Sequence, residues 1–320
     1  MSFASDTRAE LARVACRERC CARSELAAAL LCCGGISFKG LGRYALTITA
    51  TDAGVVRRYF SILKQFWSVT AEIRTLHTDA LNGQVRYQLA IPESASELLL
   101  EETQLLDANA LFGVRTVPRS ELVSGDCCKR AFLLGAFLIC GAVNNPEREY
   151  HFELALPNDD IANYVIGIMK YFEIIMKKTC RKAKFVVYLK SAEEISTTLK
   201  LIGAGGAVLK LEEARIRKDF RNTINRQMNC DSSNIDRVMA ASSAQIEDIR
   251  YLEAEIGLEK LPESLRTMAQ LRLENPEASL ASLGEMLTPP MGKSGVNARL
   301  RRISEIARNL RSGEDTHLGN

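Results

Sequence analysis

The chain has 320 residues, of which 47% are hydrophobic and 25% charged, with a net charge of +3 at pH 7. This composition is ordinary for a soluble globular protein long enough for two domains, and the net charge is too small to predict nucleic-acid binding by itself. Because residues 1–10 are polar and no apolar run reaches membrane-spanning length, we expect neither a signal peptide nor a membrane partner. We therefore expect a cytoplasmic, nucleoid-associated protein.

The first part of the chain, about residues 1–110, alternates between helical and strand patterns. Residues 24–33 are typical of an apolar helix, residues 44–49 alternate like a strand, and Asp52 is placed to cap a second helix. Residues 69–76 and 85–91 are predicted strands, and residues 94–106 a closing helix.

The next part, about residues 111–205, repeats that order. Helices are predicted at 129–140, from Asp159 through Met176 and at 191–202, and strands at 150–156 and 184–189. The two halves superimpose at an offset of 107, which places residues 26–34 over residues 133–141 and Asp52 over Asp159, so that Asp159 is also predicted to cap its helix. The repeat predicts a pseudo-twofold α+β domain whose two small-residue helices lie close together, because glycine and alanine let backbones approach.

Residues 206–257 have a different composition. Residues 211–221 are highly charged, and residues 222–234 place Asn222, Asn225 and Asn229 on one helical face. Such a face suits a contact with a partner domain, a groove or DNA phosphates. Residues 246–256 are a predicted connecting helix that Gly257 ends.

The C-terminal segment has the layout of a helix-turn-helix module. A helix over residues 261–273 stops at Asn275-Pro276, and a short helix capped by Ser279 follows it. Pro289-Pro290 predicts a stiff turn before the last helix. That helix carries an apolar stripe at steps of four, three, four and three, formed by Val296, Leu300, Ile303, Ala307 and Leu310.

The stripe determines which side chains of the last helix point outward. At about 100° per residue, Ser294, Ala298, Arg301, Arg302 and Glu305 face away from the core, with Asn297 at the edge. Arginine pairs with guanine and asparagine with adenine in the major groove, and a lysine at the helix start suits a phosphate. The predicted contacts with double-stranded DNA are Lys293, Ser294, Asn297, Ala298, Arg299, Arg301 and Arg302.

A second basic cluster lies between Lys170 and Lys190, with seven basic residues against Glu173. Clusters of this kind attract polyanions. Additional DNA contacts are therefore predicted at Arg181, Lys182, Lys184 and Lys190. The sequence leaves open whether the N-terminal domain binds DNA, protein or a small ligand.

The ten cysteines are most simply reduced, buried side chains of a cytosolic protein. Cys20-Cys21, Cys32-Cys33 and Cys127-Cys128 are adjacent pairs, no Cys-x-x-Cys motif occurs, and the chain has three histidines. By the usual spacing of zinc ligands we expect no metal and no cofactor.

The chain resembles two related groups of proteins. Its repeat helices, residues 26–34 and 133–141, resemble the paired motifs of LAGLIDADG homing endonucleases. The chain as a whole is similar to the WhiA regulators of Gram-positive bacteria, most specifically at residues 129–137, 222–226 and 293–297. The resemblance implies a degenerate homing-endonuclease domain, a C-terminal helix-turn-helix resembling that of sigma factors, and transcription regulation linked to sporulation or cell division.

The resemblance also locates the positions that decide catalysis. In the homing endonucleases an acid at the eighth motif position holds the catalytic metal, and here those positions are Cys33 and Cys140. A hard divalent cation prefers oxygen ligands. The cysteines at these positions therefore argue against nuclease activity, and we expect that the protein is not an enzyme.

The predicted domains are a LAGLIDADG-like domain at 1–220, a helical linker at 221–257, a helix-turn-helix domain at 258–312 and a disordered tail at 313–320. The leading hypothesis is a sequence-specific regulator that binds promoters, with RNA polymerase or another transcription factor as a further partner. One alternative is an active metal-dependent DNA endonuclease that uses Asp52 and Asp159. The other is an adaptor that binds the transcription machinery through a polar helix at 215–234.

Overall fold

The computed structural model describes residues 2–40, 42–77, 85–107, 109 and 111–313. Their contacts divide the chain into two compact units, Met1–Asp219 and Phe220–Asn320, each with its own hydrophobic core. Within the described residues, no helix combines the length and the apolar content needed to cross a bilayer. Most of the predicted tail, from residue 314 onward, lies outside the described residues.

The first unit contains two successive copies of one arrangement, preceded by α1 (Phe3–Leu11). In each copy a long helix is followed by two strands, a helix, two more strands and a closing helix. The first copy consists of α2 (Arg19–Cys33), β1 (Ile36–Gly40), β2 (Arg43–Ala50), α3 (Ala53–Trp67), β3 (Glu72–His77), β4 (Val85–Ile91) and α4 (Glu93–Glu102). The second consists of α5 (Asp126–Cys140), β5 (Gly141–Val143), β6 (Phe152–Leu156), α6 (Asp159–Tyr171), β7 (Lys177–Arg181), β8 (Lys184–Leu189) and α7 (Ala192–Ile202).

The strands form two antiparallel sheets of the same order, β1-β2-β4-β3 and β5-β6-β8-β7. Each sheet is buried on one face, because successive side chains of a strand point to opposite sides. On β6, for example, Phe152, Leu154 and Leu156 are buried, whereas Glu153 and Ala155 are half-buried on the other face. The predicted strands 85–91 and 184–189 are confirmed without a shift, and the strand predicted at 69–76 begins at Glu72.

The helices α2 and α5 lie against each other in the centre of the first unit. The two backbones approach closely at Gly135, where a Cβ atom would lie 2.5 Å from the carbonyl oxygen of Glu25 and 3.0 Å from the Cβ of Ala28. Ala28 and Gly135 occupy the same position in the two copies, 107 residues apart. The predicted close contact between the small-residue helices is therefore confirmed.

A buried ion pair fixes α2 to α3. Two nitrogens of Arg58 donate to the carboxylate of Glu25 at 2.5 and 2.7 Å, and the two side chains are 5% and 1% exposed. The same guanidinium also donates to the carbonyl of Val14. Both charges are thus removed from water and satisfied by each other, an arrangement that the sequence pattern did not indicate.

The caps of the two central helices differ between the copies. Asp52 caps α3 as predicted, because its carboxylate accepts the Gly54 N–H at 2.6 Å. The cap predicted at Asp159 is wrong: Asn158 caps α6, and its side-chain oxygen accepts the Ile161 N–H at 2.9 Å. Asp159 is the first residue inside that helix, and its carboxylate accepts hydrogen bonds from Lys178 and Asn163 instead. The helix also ends at Tyr171, earlier than the predicted Met176, because Glu173 adopts a left-handed backbone.

One continuous helix, α8 (Gly205–Glu255), replaces the separate segments predicted over residues 211–256. The chain has no glycine or proline between Gly206 and Gly257, so nothing in the sequence stops the helix. All side chains from 221 to 241 are exposed, including the asparagines at 222, 225 and 229.

The second unit is a helical module. It contains α8 from Phe220 onward and three further helices, α9 (Glu263–Glu274), α10 (Leu280–Glu285) and α11 (Lys293–Ser312). Its core includes Ile249 and Leu252 of α8, Met268 of α9, Leu283 of α10 and Leu300 of α11. Because α9, α10 and α11 share this core, the position of α11 within the module is fixed.

Candidate nucleic-acid interface

The apolar stripe of α11 faces the core of the second unit. Val296, Leu300, Ile303 and Ala307 are buried, as the spacing predicts, whereas Leu310 is only half-buried. Ile306, which lies beside this stripe, is also buried. The helix is therefore held along most of its length by one face, and the opposite face is in solvent.

The turn before α11 is tight because of a glycine. A Cβ at Gly284 would lie 2.0 Å from the carbonyl oxygen of Met291, and the Met291 N–H donates to the Gly284 carbonyl at 2.9 Å. Ser279 caps α10, as predicted, by accepting the Ser282 N–H at 3.1 Å. These contacts bring the short helix and the beginning of α11 together, as a helix-turn-helix requires.

The structure places six of the seven predicted DNA-contact residues on the exposed surface of α11. The half-buried exception is Arg299. The exposed residues are Lys293, Ser294, Asn297, Ala298, Arg301 and Arg302. Of these, Asn297 and Arg301 lie one turn apart on the helix, and the small Ala298 lies beside them.

The two neighbouring arginines of this face have different partners. Arg302 donates to the carboxylate of Glu305 at 2.8 Å, one turn further along the helix. Within the described part of the chain, the guanidinium of Arg301 makes no hydrogen bond or ion pair and is open to a ligand. At the start of the helix Gly292 provides no side-chain cap, so the first N–H groups lie uncapped beside Lys293. Together they form a site with positive potential, suited to a phosphate.

The second predicted basic surface, Arg181, Lys182, Lys184 and Lys190, is separated by the fold into a group of three residues and a single lysine. Lys182 and Ala183 form the two-residue turn between β7 and β8, both with left-handed backbones, and Arg181 and Lys184 pair across it. All four predicted basic side chains are exposed, but Lys190 lies beyond the opposite end of β8. Arg181 also donates to Glu153 at 3.0 Å. The hairpin thus brings three of the four residues together.

Cys33 and Cys140 lie at the C-terminal ends of the paired helices α2 and α5. The Cys33 thiol donates to the Thr47 carbonyl at 3.3 Å, and the Cys140 thiol donates to the Ala136 carbonyl at 3.0 Å. Burial raises the pKa of the Cys33 thiol, so the group stays neutral at physiological pH. A neutral thiol engaged with a backbone carbonyl is a poor ligand for a hard cation such as Mg²⁺.

The two aspartates nominated for cleavage are both engaged in the structure. Asp52 accepts the backbone N–H that begins α3. Asp159 accepts hydrogen bonds from Lys178 at 2.6 Å and Asn163 at 3.0 Å, and the bond from Lys178 lowers the pKa of its carboxyl group. Each carboxylate therefore has a local structural partner.

One group of metal-ligating side chains does occur within the described residues. It consists of Cys20, Cys21, Cys127 and Cys128. The expectation of no metal site rested on ligand spacing along the chain, and that rule does not cover adjacent cysteines contributed by two helices that the fold brings together. The signal available in the sequence was the offset of 107, which relates Cys20 to Cys127 and Cys21 to Cys128.

Comparison with known protein families accounts for most of the chain. The WhiA N-terminal LAGLIDADG-like domain matches residues 19–106, the WhiA LAGLIDADG-like domain matches residues 129–221, and the WhiA C-terminal HTH domain matches residues 224–307. The chain belongs to the WhiA family. The resemblance found in the sequence is therefore confirmed.

Similar proteins cover the chain from end to end. It is 39% identical over 317 residues to the "Probable cell division protein WhiA" of Desulforamulus reducens, covering 99% of this chain and 98% of that protein. It is 38% identical over 320 residues to the protein of the same name in Bacillus velezensis, covering 99% and 100%.

A solved structure supports the same fold. The crystal structure of full-length WhiA from Thermatoga maritima is 23% identical and matches with a TM-score of 0.59, covering 97% of this chain and 99% of that one. The fold class predicted from the sequence, a LAGLIDADG-like α+β domain with an all-α helix-turn-helix domain, is confirmed.

Proposed function

We propose that this protein is a sequence-specific regulator that binds double-stranded promoter DNA through α11 and does not cleave it. The observation that carries the proposal is the exposed face of α11, where Ala298 and Arg301 lie opposite a buried stripe and the exposed Asn297 lies at the edge of the same face. The family's C-terminal HTH domain and the name of its relatives, cell division protein, support promoters of cell-division genes as the targets, and sporulation genes are the alternative targets that the resemblance implies.

The chemistry of this face fits a major groove. Arginine and asparagine each present two hydrogen-bonding groups to a base edge, and the small Ala298 allows the helix backbone to lie deep. Arg301 is available for this contact because no described residue binds its guanidinium. Lys293 and the uncapped N–H groups of the first turn supply a phosphate contact that fixes the helix in register.

The hairpin at Arg181, Lys182 and Lys184 adds phosphate contacts in this proposal, with Lys190 as a separate contact. Its support is the exposure of all four side chains. Binding there requires Arg181 to leave Glu153, so the hairpin is expected to contribute less than α11. RNA polymerase or a second transcription factor is the further partner that regulation at a promoter requires.

Replacing Arg301 by alanine is expected to weaken binding to the specific site by about 1–3 kcal/mol, or roughly 5- to 150-fold. The loss follows from removal of a bidentate base contact, and the affinity for unrelated DNA should change far less. Fluorescence anisotropy on an operator identified by genome-wide binding and footprinting measures both affinities. Arg301→Lys separates charge from shape, because lysine keeps the charge but lacks the planar fork.

Two matched variants complete this test. Lys293→Ala should weaken binding to all sequences alike and reduce the salt slope by about 1, as expected for a phosphate contact. Lys260→Ala removes an exposed charge of the same unit outside α11 and should leave binding unchanged. An equal loss on all DNA for Arg301→Ala would contradict base recognition. Regulation that survives the loss of DNA binding in Arg301→Ala and Asn297→Ala would favour the adaptor hypothesis.

The proposal predicts that the protein does not cleave its DNA. A supercoiled plasmid containing the operator should remain intact with the protein and either Mg²⁺ or Mn²⁺, because thiols occupy the positions of the catalytic acids and Asp52 and Asp159 are otherwise engaged. Cleavage that disappears in Asp52→Asn or Asp159→Asn would establish the endonuclease hypothesis instead. Cleavage that persists in both variants would show that neither of these two aspartates is required for it.

A further inference from the structure

Four cysteines meet at the N-terminal ends of the paired helices. Cys20 and Cys21 lie in the first turn of α2, and Cys127 and Cys128 lie in the first turn of α5. Their four Sγ atoms all lie within 4.8 Å of one another, and those of Cys127 and Cys128 are 3.8 Å apart. The cluster is at the opposite helix ends from Cys33 and Cys140, the positions that correspond to the nuclease acids.

The distances fit one tetrahedral ion. A zinc–sulfur bond of about 2.3 Å implies sulfur–sulfur separations of about 3.8 Å around a tetrahedral centre. The sulfurs of Cys127 and Cys128 already have this separation. The other sulfur–sulfur distances are at most 4.8 Å, and small rotations of the side chains would shorten them to the same value. A cluster of several irons would require the four sulfurs to stand further apart. Hard cations are excluded because all four ligands are sulfur.

The helices also favour bound thiolates. Neither Glu18 before α2 nor Gly125 before α5 makes a side-chain capping bond to its helix. Two helix N-termini with positive partial charge therefore converge on the four sulfurs, and such termini stabilise thiolates. Cys20 and Cys127 are exposed, and a cavity of about 540 Å³ opens beside Cys21 and Cys127, so an ion can reach the site.

We propose that Cys20, Cys21, Cys127 and Cys128 bind a single structural Zn²⁺ ion, one pair from each copy of the repeat. Zinc accepts four thiolates, closes its coordination shell and fastens the beginning of α2 to the beginning of α5. The ion would join the two copies of the repeat at helix ends that have no side-chain cap. The proposal does not depend on DNA binding, because the cluster lies in the unit Met1–Asp219 and α11 in the other.

The test uses the full-length chain and measures metal content directly. After purification under reducing conditions and gel filtration, we expect inductively coupled plasma mass spectrometry to find about one zinc per chain. Co²⁺ added to the metal-free protein should give the charge-transfer and visible bands of a tetrahedral thiolate site. Cys20→Ser combined with Cys127→Ser should lose both signals, and these exposed positions should tolerate serine. Cys180→Ser combined with Cys230→Ser removes two exposed cysteines elsewhere and should keep both signals.

A second measurement covers the case in which the first variant fails to fold. Removal of zinc by a chelator should lower the Tm of the wild-type protein and of the Cys180/Cys230 variant, because an ion that binds only the folded state stabilises it. The proposal is overturned if the wild-type chain contains no stoichiometric metal and the chelator leaves its Tm unchanged. It is equally overturned if the Cys20/Cys127 variant keeps the metal, or if peptide mapping of the protein isolated without oxygen shows a disulfide within the cluster.

Discussion

Replacing Glu25 by alanine is expected to lower the free energy of unfolding of the first unit by about 3–5 kcal/mol. The change leaves the guanidinium of Arg58 buried without its carboxylate, and a buried uncompensated charge costs far more than the loss of a surface contact. The single tryptophan of the chain, Trp67, lies in α3, so its fluorescence during urea unfolding reports this unit.

Two controls separate burial from charge loss. Glu72→Ala removes the carboxylate of an ion pair with Arg74 of similar length, 2.6 Å, and should change the free energy of unfolding far less, because these side chains are 65% and 54% exposed and water screens their attraction. Replacing both buried partners, Glu25→Leu with Arg58→Met, should recover most of the stability, since neither charge then remains. If Glu25→Ala and Glu72→Ala cost the same, the Glu25–Arg58 pair is accessible to water.

Replacing Gly135 by valine is expected to destabilise the first unit by about 3 kcal/mol, at the upper end of the range for overpacked cores. The new Cβ would lie 2.5 Å from a backbone oxygen of α2, and backbone cannot move aside as a flexible side chain does. Tryptophan fluorescence in urea again measures the effect.

Gly167 provides the control for this substitution. It also lies inside a helix, but a Cβ there would meet no atom within 4 Å. Gly167→Val should therefore change the stability by less than about 0.5 kcal/mol, the difference between the helix propensities of the two residues. A similar cost at both positions would mean that propensity, and not the contact between α2 and α5, determines the loss.

Local patterns were sufficient to predict the strands at 85–91 and 184–189 and the exposed side of α11. In each case apolar residues repeat with the period of the element, so the buried face is determined by neighbours in sequence. The same argument predicted the cap at Asp52. It failed at Asp159 because Asn158, one residue earlier, also has a side chain that can cap, and the pattern does not choose between them.

Features that depend on two distant segments could not be predicted in this way. The ion pair between Glu25 and Arg58 joins two helices, and no local spacing connects the two residues. The cysteine cluster joins positions 107 residues apart, so ligand motifs written for one continuous segment do not describe it. The length of α8 was missed for a different reason: its polar middle has no apolar period, and only the absence of glycine and proline indicated that the helix continues.

The contact between Ala28 and Gly135 has a consequence for how such a chain can change. In a dimer of identical subunits, a residue on the twofold axis meets its own copy, so every substitution there occurs twice. Joining both halves in one polypeptide removes that constraint, and one half can keep a methyl group where the other has none. Residues at the contact between α2 and α5 can therefore be substituted in one copy at a time. A larger side chain in one copy can be accommodated by a smaller residue at the equivalent position of the other.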